Sequence, residues 1–542
     1  MVGEARRRAV RWAGVAAICV VGLATEATSH DAAIPHAAAT QHAGSTPESA
    51  TAPSRAMQPA EAGSLHGRPI GAIHCTGNHR TRTATVLREL LLSTGDPLDP
   101  ELIAESERKL RALPFLGSAT ITPSPRVWSD SVDLEVRVTE RWSWIPMVTP
   151  AVGGGRIDVD FYLADMNLLG RGQTLAVSGS VSNEEEGTAR WSLHDPHLGG
   201  SRWRAGASAG WPRDRDAEWS VDLRRPLVSL SSRWSWWAQG YSDDSQHRLY
   251  ANGYTVSKYY RRRDGGALGV TRSFRRADRR LMLTATYSFF DDRYEQASGW
   301  TGAMPDDRRR GLLQFRVTAE RFAFVKERFF FNLGPVEDIR LGPRASLFAG
   351  GAARWLGADR NYPTFGAEIS WWAGRPGRGY LNAGTSSSFR LERAEVTNHV
   401  ASAYLRAYGR LPAQGTLAGR LSGSVMDRLE VPAQLFAGSF SGVRGYEAQN
   451  HAGTRRLRAN LEWRQPVKSW RLVAVGVVVF ADAGMVWDAG ESAEDAPALV
   501  GTGAGLRLGF PWFYGGPVTR IDWAYGWRDD YPDISLGLGH RF

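Results

Sequence analysis

Two periodicities divide this chain. Between residues 67 and 141 the apolar positions follow a mixed pattern. Ile70 to Cys75 reads as a strand and Gly77-Asn78 as a turn. Thr83 then caps a helix that places Val86, Leu87, Leu90 and Leu91 on one face. Gly95-Asp96-Pro97 ends it, and Asp99 caps a second helix carrying Leu102, Ile103, Leu110 and Leu113. Ala119 to Thr122 is a strand, Pro123 to Ser131 a loop, and Val132, Leu134, Val136 and Val138 alternate as a last strand. The predicted order is β-α-α-β-β. From Trp142 onward the helical period is gone. Short alternating runs recur, such as Leu175, Val177, Gly179 and Val181, or Ile534, Leu536, Leu538, His540 and Phe542. Alternation by one residue sends one set toward lipid and the other toward a lumen, as in a transmembrane β-barrel. The stretch 142–542 holds roughly 16 strands of about ten residues with their loops.

Turn lengths add orientation. Short connections at Asn167 to Gly170, Asp195 to His197, Gln465 to Lys468 and Gly515 to Pro517 alternate with longer polar ones at Asn183 to Gly187, Asp488 to Ala498 and Trp527 to Asp533. Bacterial barrels have short periplasmic turns and long outer loops. An even strand count then puts Phe542 on the same side as residues 67–141.

Composition supports the barrel. Mean hydropathy is −0.33, yet there are 21 Trp, 16 Tyr, 20 Phe and 59 Gly. A wall that is apolar outside, polar inside and girdled by aromatics has this balance. The net charge of +10 comes from scattered arginines. They suit a polar lumen and loops, and no nucleic-acid partner is expected. Arg6, Arg7, Arg8 and Arg11 followed by Trp12 to Ala24 read as a signal peptide over 1–27. Residues 28–66, rich in Ala, Thr, Ser and Pro, read as a disordered linker, with His30, His36 and His42 solvated. Cys19 falls in the leader and leaves Cys75 alone, so no disulfide or cysteine metal site is expected. Gly206-Ala207-Ser208-Ala209-Gly210 fits GxSxG, but that elbow needs a strand, a turn and a helix, and here the surroundings alternate. No catalytic residue, cofactor or metal is expected, and the protein is read as no enzyme.

Several segments resemble the BamA/TamA family of outer-membrane assembly and translocation proteins. Ile73, Gly77-Asn78, Leu87-Arg88-Glu89, Gly95-Asp96, Leu113-Pro114-Phe115 and Val132-Asp133-Leu134 are similar to a POTRA repeat. Asp165 to Gly172 resembles the family's first hairpin turn. Val443-Arg444-Gly445-Tyr446 resembles its VRG(F/Y) loop, Phe480 to Gly484 its aspartate-bearing strand, and Gly503 to Arg507 and Gly516 to Asp522 the strands that follow. Five strands are readable after Arg444. The resemblance implies a mainly β chain: an antiparallel transmembrane barrel of about 16 strands over 142–542 behind one N-terminal α+β POTRA domain over 67–141. It implies that the loop folds into the lumen and that Arg444 meets Asp482. It implies too that Leu538, His540 and Phe542 close the chain as a lipid-facing insertion signal. The implied function is insertion or translocation of proteins at the bacterial outer membrane. The POTRA domain would lie in the periplasm and hold unfolded or secreted clients. Outer-membrane lipid and other assembly subunits would be the remaining partners. The family usually carries several POTRA repeats, and one is readable here. The alternatives are a two-partner-secretion-like transporter or a passive pore or receptor that keeps the fold. Gly537 and Gly539 weaken the terminal strand and favour a barrel that opens between its first and last strands.

Overall fold

The computed structural model describes residues 65–542 apart from 185, 186, 214, 303, 334, 335, 471 and 511–517. The signal peptide, nearly all of the linker and the turn at Gly515 to Pro517 lie outside the described residues.

The first unit follows the predicted order. It comprises β1 (Ile70–Thr76), α1 (Thr83–Leu87), α2 (Pro100–Arg111), β2 (Leu116–Pro125) and β3 (Val132–Glu140). β3 is central, parallel to β1 and antiparallel to β2. Its alternation does the packing: Val132, Leu134, Val136 and Val138 all point into a core with Ile70, Val86 and Leu110. Each such aliphatic burial stabilises by about 1.5–3 kcal/mol. Asp99 caps α2, accepting from the Glu101 N–H at 2.8 Å. Thr83 does not cap α1. That helix starts from Arg82 with no side-chain cap, and the Thr83 hydroxyl instead accepts from Asn78 Nδ2 at 3.0 Å.

The barrel begins with β4 (Trp144–Gly153) and β5 (Arg156–Leu168) and closes when the terminal strand Tyr531–Leu538 returns to β4. Among the described residues the wall has twenty strands, the short run Ala323–Arg328 being the continuation of Arg308–Arg321 beyond Phe322. The expectation of about 16 was low because connections are short and take up less chain than assumed. The even count holds. So do the five strands after Arg444: Arg455–Ser469, Ala474–Trp487, Leu499–Gly509, Thr519–Gly526 and Tyr531–Leu538. The turn expected at Gln465 to Lys468 is instead a bulge within the first of these, and the chain reverses at Trp470, whose N–H bonds the Val473 carbonyl. Alternation sorts the faces: Val477 and Val479 lie outside while Val478, Phe480 and Asp482 lie inside. Trp144, Trp211, Trp234, Trp371 and Trp523 are among the exposed aromatics.

One connection differs from the rest. Past Phe322, Ala323–Arg328 pairs with the start of Val336–Ala352, from Ala323↔Leu341 to Arg328↔Val336. This extension folds beneath the barrel mouth, and its tip, Phe329 to Leu333, enters the lumen. Phe330 packs on Tyr380, Tyr408 and Ala418, and Leu333 on Ala474 and Val518. Along the wall five strands separate the base of this strap from Ala474–Trp487.

The POTRA unit sits on the same mouth. Asn167 Nδ2 donates to Thr81 Oγ1 at 2.9 Å, and the Arg82 N–H and Thr85 hydroxyl both reach the Gly170 carbonyl. Gly170 has φ +71°, and a Cβ there would lie 2.3 Å from the Arg80 carbonyl, so the contact requires glycine. Glu105 accepts from the Leu230 N–H, and Arg111 pairs with Asp338 at 3.3 Å.

A buried charged contact on this face joins Glu89 to His197 Nε2 at 2.5 Å, with Lys109 Nζ 3.2 Å from the same carboxylate. Burial alone would raise the Glu89 carboxyl, but the His197 hydrogen bond and the Lys109 charge outweigh it and hold it at about 2. A depressed carboxyl stabilises the docked form above its free value near 4.5 and loses that contribution as pH falls toward about 2. Spin labels on the two units should therefore give one narrow distance at pH 6 that broadens across that window. Glu89→Gln should broaden it already at pH 6, and an unchanged distance would refute the assignment.

Candidate functional site

The loop between Thr416–Asp427 and Arg455–Ser469 turns back into the lumen. Leu435–Phe436 pairs with Ala452–Gly453 at its base. Val443 and Tyr446 are fully buried with Ala437, Val486 and Leu499. The Tyr446 hydroxyl donates to the Val500 carbonyl at 2.8 Å and accepts from the Val500 N–H at 3.0 Å. Glycines of the wall admit the loop backbone: a Cβ on Gly501 would lie 2.0 Å from the Arg444 carbonyl, and one on Gly526 1.9 Å from that of Gly445. The motif Gly503 to Arg507 belongs to the same strand as Gly501, and its glycines leave room for the Phe480 ring and the Asp522 carboxylate.

Arg444 lies against both of these groups. Its Nε and Nη2 donate to the two oxygens of Asp482 at 2.7 and 3.0 Å, a bidentate fork, and its backbone N–H reaches Asp482 at 3.2 Å. Nη1 donates to Asp522 at 3.0 Å and stands 2.9 Å from Glu462. The guanidinium carbon lies 3.3 Å from the centre of the Phe480 ring. Asn460 ties Asp482 to the Gly442 carbonyl, and Arg507 and Arg464 take further oxygens of Asp522 and Glu462. Arg444, Glu462 and Asp522 have no exposed side-chain surface.

Sequence reasoning placed Asp482 beside Arg444 and missed Glu462 and Asp522. Both stood in plain view as single charges between outward apolar neighbours, Leu461 and Trp463 in one case and Ile521 and Trp523 in the other. In an alternating barrel strand that context marks an inward charge needing a partner. Arg406, Arg420, Arg456 and Arg458 also face inward, Arg406 directly opposite Arg420.

The terminal segment departs from expectation. Ile534 faces lipid, but the strand ends at Leu538. Gly539, at φ +72°, bends the chain, its N–H bonding the Val518 carbonyl. His540 and Phe542 consequently leave the lipid face. Phe542 turns inward, 8% exposed, beneath the Arg464 guanidinium and in the same cluster as Phe330.

The loop also holds the closing seam. The Gly154 N–H donates to Asp533 at 3.0 Å, Ser439 Oγ donates to the same carboxylate, and the Ala448 N–H donates to the Gly154 carbonyl at 3.0 Å. Below these bonds Leu536 and Val152 are the only register partners between the terminal strand and β4 among the described residues. On its other side the terminal strand is paired throughout, from Thr519↔Leu538 to Gly526↔Tyr531. Pro146 and Pro150 lie in β4 and remove N–H donors from it.

Comparison with known proteins fits this architecture. Residues 69–141 match the POTRA family, described as surface antigen variable number repeat, and residues 378–542 match the Omp85 superfamily domain. The outer membrane protein assembly factor BamA of Neorickettsia risticii (strain Illinois) is 34% identical over 113 residues, 20% of this chain and 15% of that one, so the chain matches only a small part of that relative. Among solved structures, BamA from Haemophilus ducreyi lacking POTRA domains 1–3 is 14% identical, covering 87% of this chain and 84% of its own at a TM-score of 0.38. CdiB from Escherichia coli is 12% identical, covering 88% and 77% at a TM-score of 0.45. The chain carries a POTRA domain over residues 69–141 and an Omp85 superfamily domain over residues 378–542, and is similar to the BamA/TamA family of outer-membrane proteins.

Proposed function

We propose that this protein inserts or translocates other proteins at the bacterial outer membrane. Its POTRA domain, in the periplasm, receives an unfolded client, and the β4 seam parts to pass it. The observation that carries the reading is the seam itself. A barrel wall in hydrocarbon must satisfy its backbone groups, each orphan costing several kcal/mol. Here one register pair and a few loop bonds close the wall, and among the described residues Trp144 to Thr149 have no register partner on the terminal strand. Such an edge can pair with an incoming strand. The POTRA sheet has two edges of its own, β1 and β2, where an extended client can add. The assembly-factor description of the Neorickettsia relative supports the same reading. A passive pore fits less well, because the strap tip lies in the mouth.

The test is a reversible lock. Val152→Cys with Leu536→Cys, in a Cys75→Ser background, places a disulfide at the one paired position. Oxidised protein in liposomes should fail to insert a urea-unfolded outer-membrane barrel client, and reductant should restore insertion. Undiminished insertion by the oxidised form would refute lateral opening.

A further inference from the structure

The strap, residues 322–333 and 336–342, has a construction that a plain turn does not need. We infer that it is a gate across the periplasmic mouth, held shut by the barrel and released through the POTRA domain. The inference rests on the functional reading above only for the client that passes.

Three groups of contacts carry it. The first fixes the tip inside the lumen. Phe330 is 1% exposed, wedged among Tyr380, Tyr408 and Phe542. Leu333 is 6% exposed and stands over Gly476 and Gly509, which leave space for it. The strap's base is five strands away from Ala474–Trp487, which carries Gly476, so the tip reaches across the opening from its root to meet these partners. The second group pins the strap by charge. Glu327 accepts from Arg410 Nη2 at 2.8 Å, from the Tyr380 hydroxyl at 2.8 Å and from the Gly377 N–H at 3.0 Å. Arg410 Nη1 also reaches the Phe329 carbonyl at 3.2 Å. Glu337, fully buried, caps the tip by accepting from the Phe331 and Asn332 N–H groups. The Glu327 and Phe329 bonds join strap to wall and can be hydrated if the strap swings into the periplasm, while the Glu337 bonds lie within the strap and keep the shape of its tip. The third group connects the strap to the POTRA domain. Arg111 of α2 pairs with Asp338, and the Arg108 guanidinium lies 4.9 Å from the centre of the Phe324 ring. Both residues are in the last turn of α2, so one helix end touches both strands of the strap. A client that shifts α2 therefore pulls on the strap directly. Phe542 ties the same tip to the segment leaving the terminal strand, so withdrawal of Phe330 also loosens the lower end of the seam.

The experiment uses full-length protein in planar bilayers and in liposomes. A Cβ on Gly509 would stand 2.7 Å from that of Leu333, near enough for a disulfide after a small shift. Leu333→Cys with Gly509→Cys, in a Cys75→Ser background, should hold conductance at the closed level when oxidised and block client insertion, both reversed by reductant. Arg111→Asp and Asp338→Arg should each raise the open probability several-fold. The double variant, which restores the pair with reversed polarity, should return it to the starting value, a rescue that general misfolding does not produce. Phe330→Asp should raise conductance whether or not α2 is intact. Conductance indifferent to all of these, or insertion by the oxidised lock, would overturn the gate. Wild-type protein that never inserts a client, yet whose conductance obeys the lock and the charge swap, would overturn the functional reading and leave the gate standing.

Discussion

Arg444→Ala should be the most damaging single substitution in the barrel. It strips the cation from three carboxylates, Asp482, Asp522 and Glu462, that have essentially no exposed surface. Removing one member of a buried ion pair costs roughly 3–5 kcal/mol, because the partner is left charged without compensation. Arg507 and Arg464 remain and offset part of this for Asp522 and Glu462. Asp482 keeps only the Asn460 amide and the backbone N–H of residue 444. The loss should appear as a large fall in the temperature at which the folded band disappears in heat-modifiability gels. Arg444→Lys should recover little, since an ammonium cannot fork to Asp482 while also reaching Asp522. Asp482→Asn should be milder, because it removes one of three negative charges and leaves hydrogen-bonding shape in place. A folded band as heat-stable as wild type in Arg444→Ala would mean that the loop does not brace the wall.

Asp533→Ala should produce the next largest effect, confined to the seam. This carboxylate accepts from the Gly154 N–H and from Ser439, so it fastens the first hairpin and the lumen loop to the terminal strand at once. Hydrogen bonds to a charged group contribute about 1.5–3 kcal/mol each. Hydrogen exchange should quicken in β4 and in residues 531–538 and stay slow in Ala474–Trp487, which is paired on both sides. Ser439→Ala should give a smaller effect of the same kind. Uniform quickening across the barrel would show that Asp533 supports the fold at large and not the seam.

What the sequence disclosed followed from local rules that tertiary context left alone. The POTRA order was readable because its strands alternate and Asp99 announces α2. The pair Arg444 and Asp482 was reachable because each sits in a recognisable segment. Other features lay beyond such rules. Strand number depends on how much chain the connections consume, which alternation does not report. Phe542 continued an alternating run on paper, but a single φ at Gly539 redirected it. The strap was hidden for a different reason. Phe329-Phe330-Phe331 has no local feature to set it apart from the apolar wall, and nothing nearby in sequence says that the run extends past the membrane and folds back beneath it. Glu462 and Asp522 were legible in principle, as lone charges on inward positions.

The prolines of β4 bear on how long a guest strand stays. A full antiparallel partner would gain a pair of hydrogen bonds at every second residue, and an uninterrupted ladder of that kind is hard to leave. Pro146 and Pro150 interrupt any ladder drawn to them, because neither has an N–H to give. Each missing bond removes about 0.5–1.5 kcal/mol of hold. Every 1.4 kcal/mol shortens residence about tenfold when the loss falls on departure. On the proposed function, an edge built this way would grip briefly and let go, so that a completed product would depart and leave the barrel ready for another turnover.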